Sequence, residues 1–213
     1  MKRRIGILIS GRGSNMEALI RAAAEPEAPF EIALVLANNP EAGGLEKARA
    51  AGLRAESVDH RPFKGDREAH ERALDAKLRE AGAEILAFAG YMRLLTPWFV
   101  EAWPDAILNI HPALLPSFKG LHTHERALEA GVLWHGCTVH LVRPAMDEGP
   151  ILGQAAVPAL PGDTAESLGA RVLAQEHRLY PEVLRRFASG RLSVQGERVL
   201  GEPVVLRADL AES

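Results

Sequence analysis

The sequence predicts an α/β protein with an open, mostly parallel, twisted sheet and helices on both faces, a Rossmann-like arrangement. Short apolar runs rich in Ile, Val and Leu alternate with longer segments of helical period, beginning with residues 5–9 and 15–24. No repeat, low-complexity tract or Ser/Gly linker divides the 213 residues. Because strands that alternate with helices form parallel sheets covered on both faces, we expect one domain over residues 1–213.

The first half of the chain is predicted to contain five strands and three helices. The strands are short runs of β-branched and other apolar residues, at 5–9, 32–37, 54–58, 84–89 and 106–110. The helices are the intervening segments of helical period, at 15–24, 44–51 and 66–81.

The second half changes character. Residues 136–142 and 151–157 are apolar runs that only about eight residues separate, a connection that suits antiparallel neighbours better than a crossover. We therefore expect an antiparallel pair in this half, with a short helix over 124–130 before it.

A long helix is predicted over residues 164–187. Asp163 or Thr164 provides the N-cap, and Glu166 in the first turn complements the helix dipole. After this helix we expect short strands or coil, and we treat residues 191–213 as a C-terminal tail.

Composition narrows the class of protein. Apolar residues make up 47% and charged residues 25%, close to the average of soluble globular chains. The first apolar run breaks at Ser10, too early for a signal peptide or a membrane span, so we expect a cytoplasmic protein without a membrane partner. A net charge of −3 and scattered basic residues disfavour binding to nucleic acid.

Cys137 has no second cysteine to pair with and is a poor candidate for a catalytic thiol.

The segment Ser-Gly-Arg-Gly-Ser-Asn at 10–15 lies between a predicted strand and a predicted helix. Free backbone N–H groups and the helix dipole at such a place bind anions, so we predict a phosphate site. A dinucleotide is disfavoured because Met16 replaces the third glycine and Asn38-Asn39 replace the acid after the second strand. The alternative is a tight turn in which the glycines only permit the backbone path.

Asn109 and His111 end the predicted strand 106–110, at the carboxyl edge where open α/β sheets bind ligands. Alternation along a strand places both side chains on the same side. An amide N–H can stabilise an oxyanion and a histidine can transfer a proton near neutral pH. The alternative is that His111 is a hydrogen-bonded structural residue.

Met-Asp-Glu-Gly-Pro at 146–150 joins the two strands of the antiparallel pair. Asp147 and Gly149 are common turn formers, which is the structural interpretation. In the functional one, the carboxylate of Asp147 lies beside His111 and keeps the imidazole charged until its proton is needed.

Five histidines lie between His111 and His140, which raises the question of a metal. Their spacings, such as His122-x-His124 and four residues between His135 and His140, match no standard zinc pattern. We therefore predict no metal and expect solvated or hydrogen-bonded histidines.

Five motifs together resemble the folate-dependent formyltransferases, and among them the enzymes that formylate glycinamide ribonucleotide. They are Ile-Ser-Gly-Arg-Gly-Ser-Asn at 9–15, Ala-Gly-Tyr-Met-Arg at 89–93, Leu-Asn-Ile-His-Pro-Ala-Leu-Leu-Pro at 108–116, Gly-Leu-His-Thr-His at 120–124 and Gln-Glu-His-Arg-Leu-Tyr-Pro at 175–181. The resemblance runs in order from residue 5 to about 190. Arg12 and Lys119-Gly120 occupy variable loop positions, and Glu148 stands where the family often has glycine.

The resemblance implies a role for particular residues. The catalytic trio is Asn109, His111 and Asp147. The ribonucleotide is bound by Gly13, Ser14, Asn15, Gln175 and Glu176. The folate is bound by Arg67, Met92, Arg93, Leu94, Leu95, Asn109, Arg143, Pro144, Ala145, Met146 and Asp147, with its pterin in the loop 143–147.

The resemblance also implies the reaction, in which a formyl group passes from 10-formyltetrahydrofolate to the amine of 5-phosphoribosylglycinamide in de novo purine biosynthesis. The amine attacks directly and forms a tetrahedral intermediate, without a metal. The expected partners are these small molecules, for a monomer or homodimer.

Other functions stay open at this point: formyltetrahydrofolate deformylase, methionyl-tRNA formyltransferase, or a non-catalytic nucleotide-binding module. The first two usually carry an extra N-terminal regulatory or C-terminal RNA-contacting domain. We expect neither here, because the first strand starts at once and the long helix lies near the end of the chain.

Overall fold

Eight strands form one mostly parallel sheet in the computed structural model, which describes residues 1–208, and helices connect the strands. The predicted α/β class is therefore confirmed. By its internal packing the chain divides into two compact units, Met1–Asn109 and the residues from Ile110 onward. The expectation of one domain stays a prediction.

The first unit contains five parallel strands in the order β3-β2-β1-β4-β5. The strands are β1 (Arg3–Ile9), β2 (Phe30–Ala37), β3 (Ala55–Ser57), β4 (Ile85–Phe88) and β5 (Ile107–His111), whose last two residues begin the second unit. The helices are α1 (Ser14–Ala23), α2 (Gly44–Ala50), α3 (Arg67–Glu80) and α4 (Pro97–Ala102). All predicted strands and helices of this half are present, with ends that differ by at most two residues.

The centre of this sheet is fully apolar. Ile7 and Leu8 of β1, Val35 of β2 and Leu86 of β4 are all completely buried. A parallel strand covered on both faces is a continuous apolar run rather than an alternating one, which is why these strands were recognisable in the sequence.

Helix α4 and a 3-10 turn at Arg61–Phe63 were not predicted. Pro97 is well suited to the first position of a helix, but six residues are too few to display a helical period. A tertiary contact stabilises the start of α4: the buried carboxylate of Glu71 on α3 accepts hydrogen bonds from the backbone N–H of Thr96, at 2.9 Å, and from its hydroxyl.

The second unit contains the predicted antiparallel pair, β6 (Trp134–Leu141) with β7 (Ile151–Pro158). A further strand, β10 (Val204–Arg207), pairs in parallel with β7. The helices are α5 (Thr123–Glu129) and α6 (Ala165–Ala188), and α6 packs on β6 and β7.

Helix α6 begins as predicted, with Thr164 as the N-cap. The side chains of Thr164 and Ser167 each accept a hydrogen bond from the other residue's backbone N–H, which satisfies two free donors at the helix start. Asp163 instead pairs with Arg171, and this contact lowers the pKa of the Asp163 carboxyl to about 2.

The tail consists of short strands, one of the two predicted alternatives. Strands β8 (Leu192–Gln195) and β9 (Arg198–Gly201) form an antiparallel hairpin with the two-residue turn Gly196-Glu197. The part of the tail at 209–213 lies outside the described residues. Among residues 1–208, no helix is both long and apolar enough to cross a bilayer.

Candidate active site

The predicted phosphate loop, residues 10–15, follows β1 and includes the first two residues of α1. Gly13 is the N-cap of α1 and has a left-handed backbone with φ 70° and ψ 35°, which favours glycine. As the N-cap, Gly13 provides no side-chain hydrogen bond to the backbone N–H groups at the start of α1. The helix therefore presents these N–H groups and the positive end of its dipole. This geometry suits an anion.

Close packing around Gly13 explains why glycine also occupies position 44. The N–H of Gly44 donates to the carbonyl of Gly11 at 3.0 Å, which joins the start of α2 to the loop. A Cβ atom on Gly44 would lie 2.6 Å from Ile9 Cδ1, and one on Gly13 would lie 3.0 Å from Met16 Cε. The loop is therefore held by backbone contacts that larger residues would disturb.

Ser10 links the phosphate loop to the predicted folate segment, residues 92–95. Its hydroxyl donates to Asn38 Oδ1 at 2.6 Å and accepts from the backbone N–H of Met92 at 2.9 Å. No separate role was predicted for the Ser10 side chain, because no local pattern indicates a partner 82 positions away.

The predicted folate segment exposes apolar side chains. Met92 is 68% exposed and Leu94 is 57% exposed, whereas Arg93 and Leu95 are half-buried. Arg67 is exposed at the first position of α3. Large apolar side chains that are exposed to solvent can bind a flat ring.

Asn109 and His111 lie on β5, whose carboxyl end was predicted to carry them. Asn109 is half-buried and its partner in the parallel ladder is Phe88 of β4. His111 is buried, two positions further along the strand.

The second unit brings His111 and Asp147 together. His111 Nδ1 lies 3.5 Å from Asp147 Oδ2, and His111 Nε2 lies 3.0 Å from the carbonyl oxygen of Phe118. Both partners are acceptors, so an imidazole that carries a proton on each nitrogen can donate to both. Each ring nitrogen of His111 therefore faces an acceptor.

A second histidine faces the same carboxylate, and the sequence analysis did not identify it. His140 Nε2 lies 3.8 Å from Asp147 Oδ1, and its Nδ1 lies 2.9 Å from the carbonyl of Leu141. Burial lowers the pKa of His140, so the neutral ring donates from Nδ1 and has a lone pair on Nε2. His140 is therefore a poor cationic partner of Asp147.

The segment 118–120 closes one side of this cluster. The backbone N–H of Gly120 donates to Asp147 Oδ2 at 2.9 Å, and Lys119 pairs with Glu148 at 2.7 Å. Two of the positions noted as departures from the family pattern, 119 and 148, are thus partners. The Glu148 carboxylate faces Lys119 and the Asp147 carboxylate faces His111, so the two adjacent acids have different partners.

Thr138 and Gln154 support the segment that follows His111. The buried Thr138 hydroxyl donates to the carbonyl of Ala113 and accepts from the N–H of Leu115. Gln154 Nε2 donates to the carbonyl of Leu115 at 2.9 Å. Both side chains come from the antiparallel pair, which the sequence predicted without indicating this contact.

A cavity of about 350 Å³ lies beside the carboxylate of Asp147. It is lined by Leu115, Pro116, Lys119, Asp147, Glu148, Gly149 and Ile151. The wall is formed jointly by the segment after His111 and the loop that carries Asp147.

Helix α6 contributes Gln175 and Glu176, both buried. Gln175 Oε1 has no hydrogen-bond partner among the described residues. Burial, with the nearby Glu176 carboxylate, raises the pKa of the Cys137 thiol, which keeps it protonated and unreactive.

The histidines between 111 and 140 are mostly hydrogen-bonded rather than clustered. His124 Nδ1 lies 3.1 Å from His135 Nε2. His122 is exposed, and its Nδ1 lies 3.7 Å from Glu125 Oε1. Within the described part of the chain, no group of three or more His, Cys, Asp or Glu residues has the geometry to hold a metal.

Comparison with known proteins identifies the family. The profile of the family described as Formyl transferase matches residues 3–184. The chain belongs to this family. It is 42% identical over 190 residues to phosphoribosylglycinamide formyltransferase of Escherichia coli (strain K12), covering 89% of each protein. A crystal structure of phosphoribosylglycinamide formyltransferase from Brucella melitensis is 56% identical and has a TM-score of 0.85, covering 91% of this chain and 100% of that one.

Other relatives carry the same region within a longer protein. The trifunctional purine biosynthetic protein adenosine-3 of Gallus gallus is 46% identical over 193 residues, 91% of this chain. The chain spans about a fifth of that relative's length, 19%. A formyltetrahydrofolate deformylase from Pseudomonas syringae shares the fold, with a TM-score of 0.87 at 23% identity.

The pair His124–His135 predicts that stability decreases in mild acid. Burial, and then the neighbouring His124, lower the pKa of His135 to about 4 from a usual 6.5. Between these values the unfolded chain binds a proton that the folded chain does not, so stability falls as the pH decreases from 6.5 towards 4. The wild-type free energy of unfolding should therefore decrease between about pH 7.5 and 4.5. We expect His135→Gln to make this decrease smaller by roughly 1–2 kcal/mol, as measured by urea unfolding.

The control is His122→Gln, since the side chain of His122 is 75% exposed. This variant is expected to keep the wild-type dependence on pH. An unchanged slope in His135→Gln would show that another group is responsible for the acid sensitivity.

Proposed function

We propose that the protein transfers the formyl group of 10-formyltetrahydrofolate to the amine of 5-phosphoribosylglycinamide, a step of de novo purine biosynthesis. Membership in the formyl transferase family supports the reaction type. The names of the full-length relatives support the acceptor. The observation that carries the proposal is the contact between His111 and Asp147, because it places a buried imidazole beside a carboxylate, the pair that the proposed reaction uses.

In the proposed mechanism the neutral amine attacks the formyl carbon bound to N10 of the folate. A carbon–nitrogen bond forms and the carbonyl oxygen becomes an oxyanion in a tetrahedral intermediate. The amide N–H of Asn109 and the charged imidazole of His111 stabilise this oxyanion, and Asp147 keeps the imidazole charged. Preorganised donors of this kind are most effective when they are buried, as His111 is.

The intermediate then loses N10. The bond between the formyl carbon and N10 breaks, and N10 takes up a proton from His111 or through a water molecule. The proton that the attacking amine loses passes to the same group, which returns it to its starting state. The products are the formylated ribonucleotide and tetrahydrofolate, so atoms and charges balance. The proposed route uses neither a covalent bond to the protein nor a metal.

The ribonucleotide is proposed to bind through its phosphate to Gly13, Ser14 and Asn15. The left-handed Gly13 at the start of α1 supports this assignment, since it presents backbone donors to an anion. Gln175 and Glu176 are proposed to bind the ribose. The buried Gln175 Oε1, which lacks a donor among the described residues, is suited to accept from a sugar hydroxyl.

The folate is proposed to contact Arg67, the segment Met92, Arg93, Leu94 and Leu95, Asn109, and the loop of Arg143, Pro144, Ala145, Met146 and Asp147. The exposure of Met92, Leu94 and Met146 supports an apolar ring contact. The small-molecule substrates imply a cytoplasmic enzyme, and its state as a monomer or homodimer stays a prediction.

The dependence of folate turnover on the acceptor tests this function. We expect 10-formyltetrahydrofolate to be converted to tetrahydrofolate, followed by absorbance, only when 5-phosphoribosylglycinamide is present, with formylation of the amine confirmed by mass spectrometry. Turnover without the acceptor would indicate a deformylase. Binding of both compounds without turnover would indicate a non-catalytic module.

Gly13→Val is expected to weaken ribonucleotide binding at least tenfold and to change folate binding little. Valine at φ 70° is strained, and its Cβ would contact Met16 and the backbone of Gly44. Isothermal titration with each ligand measures the two affinities. Gly43→Ala is the control, since position 43 has a helical backbone and an added Cβ meets nothing within 4 Å. Equal loss of both ligands in a folded Gly13→Val protein would contradict the phosphate assignment.

Asp147→Asn is expected to reduce kcat by roughly a hundredfold or more, the usual scale for groups that support acid–base catalysis. The amide keeps the shape of the side chain but removes the negative charge beside His111 Nδ1. Substrate dissociation constants should change little. An NMR titration of the His111 ring in the wild type and in Asp147→Asn tests whether the imidazole loses its charge. Turnover is measured at several pH values in both proteins.

Glu148→Gln is the matched control, because it makes the same change at the adjacent residue. Its carboxylate pairs with Lys119 and is 54% exposed, so most activity should remain. A larger loss of turnover in Glu148→Gln than in Asp147→Asn would show that Asp147 is not the catalytic carboxylate.

A further inference from the structure

The loop between β6 and β7, residues 142–149, is closed at its base by tight backbone packing. The N–H of Leu141 donates to the carbonyl of Pro150 at 3.0 Å. A Cβ atom on Gly149 would lie 1.8 Å from the Leu141 carbonyl oxygen and 3.2 Å from Arg143 Cγ. The aliphatic part of Arg143 therefore lies across the base of the loop, against its other end.

The guanidinium of Arg143 is directed to the β8–β9 hairpin. Its Nε donates to Glu197 Oε1 at 2.8 Å and a terminal nitrogen donates to the carbonyl of Gly196 at 3.0 Å. The Arg143 side chain is only 20% exposed, whereas Glu197 is 68% exposed. An arginine side chain of low exposure that makes two directed bonds positions the backbone that carries it more strongly than a fully exposed pair does.

The hairpin is a firm support for this contact. Gly196 has φ 62° at the first position of a two-residue turn, which places the Gly196 carbonyl and the Glu197 side chain at the tip. The other end of the hairpin is attached to α6, because Arg186 donates to the carbonyl of Glu202 at 3.1 Å. Leu192 of β8 is buried and β8 packs on the same helix.

We propose that Glu197 is a positioning residue for the loop 142–149. By holding Arg143, it keeps residues 143–147 in the conformation that receives the folate, whereas the Gly120 N–H independently holds Asp147 beside His111. The proposal rests on the proposed function for its effect on folate, but the conformational effect is independent of it. It also changes the role of Arg143: its side chain serves the hairpin, and its backbone belongs to the folate site.

Three variants test the proposal. Glu197→Ala removes both the charge and the acceptor, and Glu197→Gln removes only the charge. Glu202→Gln is the control, since residue 202 bonds Arg186 through its backbone carbonyl. We expect KM for 10-formyltetrahydrofolate to rise about threefold to tenfold in Glu197→Ala and less in Glu197→Gln. kcat and KM for the ribonucleotide should stay within about twofold of wild type, since neither His111 nor the phosphate loop touches Glu197.

Ionic strength provides a second kinetic signature. Because Glu197 is largely exposed, added salt should weaken its attraction to Arg143. The KM for the folate should therefore rise with salt in the wild type and much less in Glu197→Ala, so that the two proteins converge.

Amide hydrogen exchange of residues 142–149, measured without substrates, separates this proposal from the proposed function. Exchange should accelerate in Glu197→Ala and stay unchanged in Glu202→Gln, whichever reaction the protein catalyses. Unchanged exchange and unchanged KM for the folate in Glu197→Ala would overturn the proposal. Faster exchange in a protein that does not turn over the folate would support the positioning role and reject the proposed function.

Discussion

The carboxylate of Asp147 is the group on which the second unit's site depends. One oxygen accepts from the Gly120 N–H at 2.9 Å and lies 3.5 Å from His111 Nδ1, and the other lies 3.8 Å from His140. A largely buried carboxylate is stable only where donors or cations surround it, so it depends on neighbours such as the Gly120 N–H, which donates to it. Burial lowers the pKa of His140, so His140 is not the cationic partner of this carboxylate.

Holding these groups together requires unfavourable backbone conformations. Phe118, His122 and Asp147 all have φ near 55°, in the left-handed region that residues other than glycine seldom adopt. Surrounding contacts maintain this strain: Arg126 on α5 donates to the Lys119 carbonyl at 2.6 Å and lies over the Phe118 ring. Strain of about 1–3 kcal/mol per residue is typical of sites where geometry serves function rather than stability.

The first unit solves a different problem, the recognition of an anion by backbone. Gly13 adopts the left-handed conformation that opens α1, and Gly44 allows α2 to approach within hydrogen-bond distance of the loop. Ser10 connects this loop to the N–H of Met92 and to Asn38. Both proposed ligand surfaces of this unit thus share one hydroxyl, so their conformations are linked by direct contact.

The sequence by itself determined the α/β class, most of the helices and strands and the residues of the site's motifs. These features depend on local periodicity, caps and glycines, as the buried runs of β1 and the Thr164 cap of α6 illustrate. Only the tertiary structure decided the partners: His140 beside Asp147, Lys119 with Glu148, and Arg143 with Glu197. Such pairs join residues up to 54 positions apart, and no local pattern encodes which distant side chains the fold brings into contact.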